Sequence, residues 1–106
     1  MLGRKLELVL YGDGSEPATA VRLYEKLITR DKVDLVLSPF GAPITDAVAD
    51  VTEKYRMPML TTGTATSIYK KGRKFIFGLL PAPEVHLEGL LGLAAKKGLK
   101  TVALIR

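Results

Sequence analysis

Three short stretches collect the residues able to do chemistry in this chain: "GDGSEP" at 12–17, "SPFGAP" at 38–43 and "TTGTATS" at 61–67. Each follows an apolar run and precedes a run with helical spacing. Each mixes glycine with hydroxyls, a carboxylate or proline. A helix start offers unpaired backbone N–H groups and a partial positive charge, so such a turn can receive a carboxylate or phosphate. Hydroxyls and carbonyls can accept from an ammonium. Groups for bond-making are scarce. There is no cysteine, and the single histidine, His86, has no assigned nucleophile beside it, so no Ser–His–Asp grouping and no conventional zinc site is expected. Neither GxxxxGK[ST] nor GxGxxG occurs, which removes the usual fingerprints of an ATPase or a dinucleotide enzyme, and no cofactor is expected.

The elements that must hold these turns alternate. "KLELVLYG" (5–12) reads as a strand ending at a turn. "SEPATAVRLYEKLITRD" reads as a helix with Ser15 as N-cap, Pro17 in its first turn and Ala20, Val21, Tyr24, Leu27 and Ile28 at helical spacing. "VDLVLS" is a second strand. "APITDAVADVTEKYR" follows as a helix with Ile44, Ala47, Val48, Val51 and Tyr55 on one face. "MPMLTTG" is a third strand, "TATSIYKKG" a short helical turn and "KFIFGLL" a fourth strand. "PAPEVHLEGLLGLAAKKG" is a helix with Leu87, Leu90, Leu91 and Ala94 on one face and Gly98 as its C-terminal cap, and "KTVALIR" is a fifth strand. This order predicts an α/β fold: a mainly parallel, flavodoxin-like or Rossmann-like sheet of about five strands with helices on both faces, a three-layer sandwich. In such folds ligands collect beyond the carboxyl ends of the strands, where the three turns lie.

At 106 residues and 47% apolar content the chain is long enough for one core, and one domain spanning 1–106 is expected. The formal charge of +5 is scattered except at "KKGRK" (70–74) and "KKGLK" (96–100), and no aromatics interleave with those clusters, so they read as solvated helix ends and no nucleic-acid partner is expected. No apolar run approaches the ~20 residues that span a bilayer.

The order of "LVLYGDGSEPATAVRLYEKLITRDKVDLVLSPFGAPITDAVADVTEKYRMPML", a glycine and hydroxyl turn, "FIFGLLPAP", a helix and "TVALI" resembles the branched-chain amino-acid type of ABC-transporter substrate-binding protein. The resemblance covers the chain from its first strand to its last. It implies an extracytoplasmic receptor of two α/β lobes closing on an amino acid or related small carboxylate, with a membrane permease as partner of the full-length protein and no enzymatic activity. It also implies that this chain corresponds to the first lobe running into the first strand of the second. The family's first strand, which would lie between "KLELVLYG" and "VDLVLS", has no counterpart here. Two fillings of that gap are expected: the "TVALIR" strand folding back, or exchange of strands in a homodimer. A periplasmic location follows from the resemblance alone, since "MLGRKLELVLYG" lacks the form of a signal peptide.

By the same resemblance the ligand-binding residues are Ser38, Gly41, Ala42, Thr62, Gly63, Thr64 and Thr66. Where the family commonly carries serine this chain has Ala42, which removes one hydroxyl contact. The competing reading of the threonines and Ser67 is capping of a short helix. Asp13 reads as a turn residue. His86 reads as a surface or packing residue, and Tyr11, Phe40 and Phe77 read as core ahead of cleft. Two other functions stay open: an engineered or fragment-derived self-associating scaffold without ligand, and a flavodoxin-like regulatory domain binding flavin or nucleotide.

Overall fold

The computed structural model describes residues 3–63, 65–101 and 103. The elements follow as α1 (Pro17–Thr29), β1 (Val36–Leu37), α2 (Ala42–Lys54), β2 (Met59–Thr61), α3 (Thr66–Tyr69), β3 (Ile76–Gly78) and α4 (Pro83–Lys96). The chain has the α/β fold, with a parallel sheet in the order β1-β2-β3. Its register sets Val36, Met59 and Ile76 in one row and Leu37, Leu60 and Phe77 in the next. Alternate residues of a strand face opposite ways, so the first row points into the core and the second away from it.

That core is built from Ala20 and Tyr24 of α1, Val36 of β1, Ile44, Val48, Ala49 and Val51 of α2, and Met59 of β2. Helices α1 and α2 pack on each other and α2 lies against β2 and β3. Both carry proline in the first turn, where the missing N–H costs no intrahelical bond. Gly41, the N-cap of α2, sits at φ 99°, a conformation that a side chain would disfavour. The sharp entry into α2 therefore depends on glycine.

Among the described residues the sheet has three strands, not about five. "KLELVLYG" forms no strand; Leu6, Leu8 and Leu10 are 74%, 72% and 77% exposed. A strand is stabilised by pairing with a neighbour, and no described strand lies beside this segment or along the outer edge of β1. Most of the expected "KTVALIR" strand lies outside the described residues, and Lys100, Thr101 and Ala103 are in no strand. The strands that do form are also shorter than expected. α4 has the expected length, and Gly98 at φ 68° ends it, but none of its residues is buried. The sheet face bearing Leu37 and Phe77, 59% and 50% exposed, is correspondingly open. Ser15 is not the N-cap of α1: Glu16 is, and Ser15 stands one residue earlier at φ 61°.

Candidate functional site

The carboxyl ends of β1 and β2 release the chain into two turns that meet across a cleft of about 230 Å³. Phe40, Gly41 and Ala42 form one wall, Thr62, Gly63 and Ala65 the other, and Pro83 at the start of α4 closes one side. Among the described residues no charged side chain lines it, and Thr62 is the polar side chain among them. α2 begins here without a side-chain cap, and the first-turn amides of any helix have no intrahelical partner.

The first turn is tied from below. Thr45, fully buried, donates its hydroxyl to the Pro39 carbonyl at 3.1 Å, and the Tyr24 hydroxyl donates to the carbonyl of Leu37, the last residue of β1. The Ser38 amide donates to the Leu60 carbonyl at 2.8 Å, joining the start of the turn to β2. Burial, and after it the Asp13 carboxylate, pushes the Tyr24 phenol well above the ordinary tyrosine value, so it remains a donor.

The second turn is tied the same way. The Gly63 amide donates to the Thr61 hydroxyl at 2.8 Å, and the Tyr69 hydroxyl donates to the Gly63 carbonyl at 2.6 Å. Thr61 is fully buried, and burial raises the Tyr69 phenol too. A Cβ on Gly63 would meet the Thr61 hydroxyl at 3.0 Å and Ile68 at 3.4 Å, and one on Gly78 would meet the Tyr69 hydroxyl at 2.6 Å. At Gly78 a side chain would force the Tyr69 ring to shift, whereas at Gly63 the Thr61 hydroxyl would have to give by a few tenths of an ångström.

Beyond the cleft, the Thr66 hydroxyl donates to the Glu84 carboxylate at 2.9 Å, linking α3 to the first turn of α4. The bonds to its own amide and then to Thr66 hold the Glu84 carboxyl below its usual value. Arg73 joins α2 to α3. Its guanidinium pairs with Asp46 at 2.7 Å and with Asp50, and donates to the Ile68 carbonyl at 3.2 Å.

Of the residues expected to touch a ligand, Gly41, Ala42, Thr62 and Gly63 line this one cleft. Ser38 stands at the base of the first turn, and Thr66 opens α3 with its hydroxyl engaged by Glu84; Thr64 lies outside the described residues. Phe40 is not core: it is 93% exposed on the cleft wall, because the turn carries it past the end of β1. Tyr11 and Phe77, 41% and 50% exposed, are not core either. The Asp13 carboxylate accepts from the Ser15 amide at 2.8 Å, the bond of a turn residue. His86 is exposed on α4. Ala65 and Tyr69 are not among the residues expected at the site, and Pro83 is readable from sequence only as the start of a helix. The glycine at 63 was the signal for a close approach, but nothing local shows which side chain approaches.

Similar architecture occurs in two solved structures. A leucine binding protein, LivK, from Thermotoga maritima superimposes with a TM-score of 0.76 at 25% identity, over 91% of this chain and 27% of that one. A solute binding protein of an ABC transporter from Rhodopseudomonas palustris, solved with 3,4-dihydroxybenzoic acid, does so with a TM-score of 0.76 at 26% identity, over 92% and 27%. The chain therefore spans about a quarter of the length of each. The sequence model of the family described as Periplasmic binding protein matches residues 1–106. With residues 1–106 matched by the family model and most of the chain superimposing on both structures, this chain belongs to the periplasmic binding protein family, of leucine-binding-like type.

Proposed function

We propose that this chain contributes one wall of the solute site of an ABC importer's binding protein, that the solute is an amino acid or a related small carboxylate, and that the chain catalyses no reaction. The observation carrying this is the convergence of Gly41, Ala42, Thr62 and Gly63 on one cleft at the carboxyl ends of β1 and β2, with no charged lining among the described residues. A carboxylate is held there by backbone N–H and hydroxyl dipoles, and an ammonium by carbonyls. The cleft is smaller than the ~300–1,000 Å³ of most ligand pockets and open to water, so binding by this chain is weak. The periplasmic location belongs to the same proposal, as does a permease as partner of the whole binding protein.

Calorimetry and thermal unfolding with leucine, isoleucine, valine and 3,4-dihydroxybenzoate test it. The expected result is a rise in the unfolding midpoint with one of them at high concentration. Binding of a flavin or nucleotide, with none of the carboxylates active, would replace this proposal by a regulatory one. A second property is favoured by the bare leucines of 6–10: self-association of the chain into a homodimer through its exposed strand-like segment and the outer edge of β1.

A further inference from the structure

We propose that Tyr24 and Tyr69 are a matched pair of positioning residues, each fixing one wall of the cleft through a single hydroxyl; this rests on the cleft being the solute site. The two residues come from different helices, yet they make the same bond. Tyr24 of α1 donates to the Leu37 carbonyl at the point where β1 gives way to the Ser38–Gly41 turn. Tyr69 of α3 donates to the Gly63 carbonyl within the Thr62–Gly63 turn. Neither tyrosine lines the cleft.

The surroundings are shaped around these phenols. Gly78 at the end of β3 leaves the space that the Tyr69 ring fills, since a Cβ there would stand 2.6 Å from its hydroxyl and 3.1 Å from its ring carbon Cζ. Tyr24 is 8% exposed within the core, so its ring is held by α2 and β1 while its hydroxyl reaches the backbone. A loop carbonyl that points toward a fixed donor cannot rotate toward the ligand. The peptide planes at Leu37–Ser38 and at Gly63 are therefore set before any solute arrives. Preorganisation of this kind raises affinity by removing the ordering cost of binding.

The test uses Tyr24→Phe and Tyr69→Phe, which each remove one oxygen and keep the ring. Amide exchange resolved by residue is expected to rise about five- to tenfold at Gly63 in Tyr69→Phe and at Ser38 in Tyr24→Phe, the scale of one net hydrogen bond. Exchange in the middle of α2 is expected to stay unchanged in both. A purely structural role would instead speed exchange in both turns and α2 together, and that result, or no change at either turn, overturns the proposal. Gly78→Ala is expected to reproduce the Gly63 effect by displacing Tyr69. Should that variant fail to fold, the two phenylalanine variants still decide the matter. Titration with leucine, isoleucine, valine and 3,4-dihydroxybenzoate separates the two proposals. Failure of the unsubstituted protein to bind any of the four removes the solute reading, and the exchange pattern alone then judges the tyrosines. Where the protein binds, each phenylalanine variant is expected to lose affinity by a similar five- to tenfold, and undiminished affinity overturns the positioning role.

Discussion

The Arg73 side chain is 4% exposed, yet Asp46 and Asp50, its partners, are 35% and 71% exposed. The cation is thus sheltered while its counter-charges stay hydrated, which avoids most of the desolvation cost of a fully buried pair. Because Arg73 also reaches the Ile68 carbonyl, it ties α2 to α3. Arg73→Met is expected to cost about 2 kcal/mol in urea unfolding, since charged hydrogen bonds are lost and the packed stem is only partly replaced. The bond to Lys71, then that to Arg73, holds the Asp46 carboxyl below its ordinary value of 3.8. The folded state therefore favours the ionised form: the stabilisation is complete above that ordinary value and is lost as pH falls through the lower, folded one. Asp46→Asn is expected to flatten the acid limb of stability against pH, while the wild-type protein shows a fall there. At the cleft itself, Ala42→Ser restores a hydroxyl at the exposed first position of α2. If the cleft holds a carboxylate, affinity by calorimetry is expected to rise about fivefold with stability changed by less than ~0.5 kcal/mol. Unchanged affinity for every ligand that binds would remove Ala42 from the contact set.

At the scale of elements, helices were legible because their evidence is local. Pro17 and Pro83 mark two starts, and the spacing of Ala20 and Tyr24 or of Ile44, Val48 and Val51 marks the buried faces. The cores of β1, β2 and β3 were legible as short apolar runs, and the two turns followed from their glycines. The segment at 5–12 misled because alternation in sequence states only what a strand would need, whereas a neighbouring strand decides whether one forms. The tyrosine bonds were hidden for the same reason: Tyr24 was recognisable as a core-facing residue, but its acceptor is 13 residues away. α4 shows local and tertiary information parting. It has good boundaries and no buried face, and a 14-residue helix lacking packing is marginal. Gly89 and Gly92 lie in its middle with nothing within 4 Å of an added Cβ. Gly89→Ala and Gly92→Ala are each expected to stabilise α4 by about 0.8–1 kcal/mol, seen as greater helical circular dichroism and slower exchange confined to α4. A loss of helicity would mean that α4 packs closely through those glycines.

Across the whole molecule, the radius of gyration is 17.6 Å and the extents are 57 × 35 × 26 Å. A compact chain of about 100 residues has a radius near 13 Å. The N-terminal segment and α4 add length without adding to the core: residues 4–10 are exposed and no residue of α4 is buried. Leu6, Leu8 and Leu10 recur at every second position, so in an extended conformation they share one face, and β1 has an unpaired outer edge among the described residues. Water gains when such a face is covered, and the unpaired backbone gains a ladder, so a second copy supplying the same segment satisfies both deficits. Light scattering over a dilution series is expected to show mass falling toward 11.5 kDa as the protein is diluted, with a thermal midpoint that falls in parallel. Leu8→Lys places a charge in the middle of that face without touching the core, so it is expected to yield a monomer at all concentrations with α1 and α2 intact. A wild-type protein that is monomeric throughout, or a Leu8→Lys variant that associates equally well, would move the site of self-association away from this segment and leave its leucines without a partner in this chain.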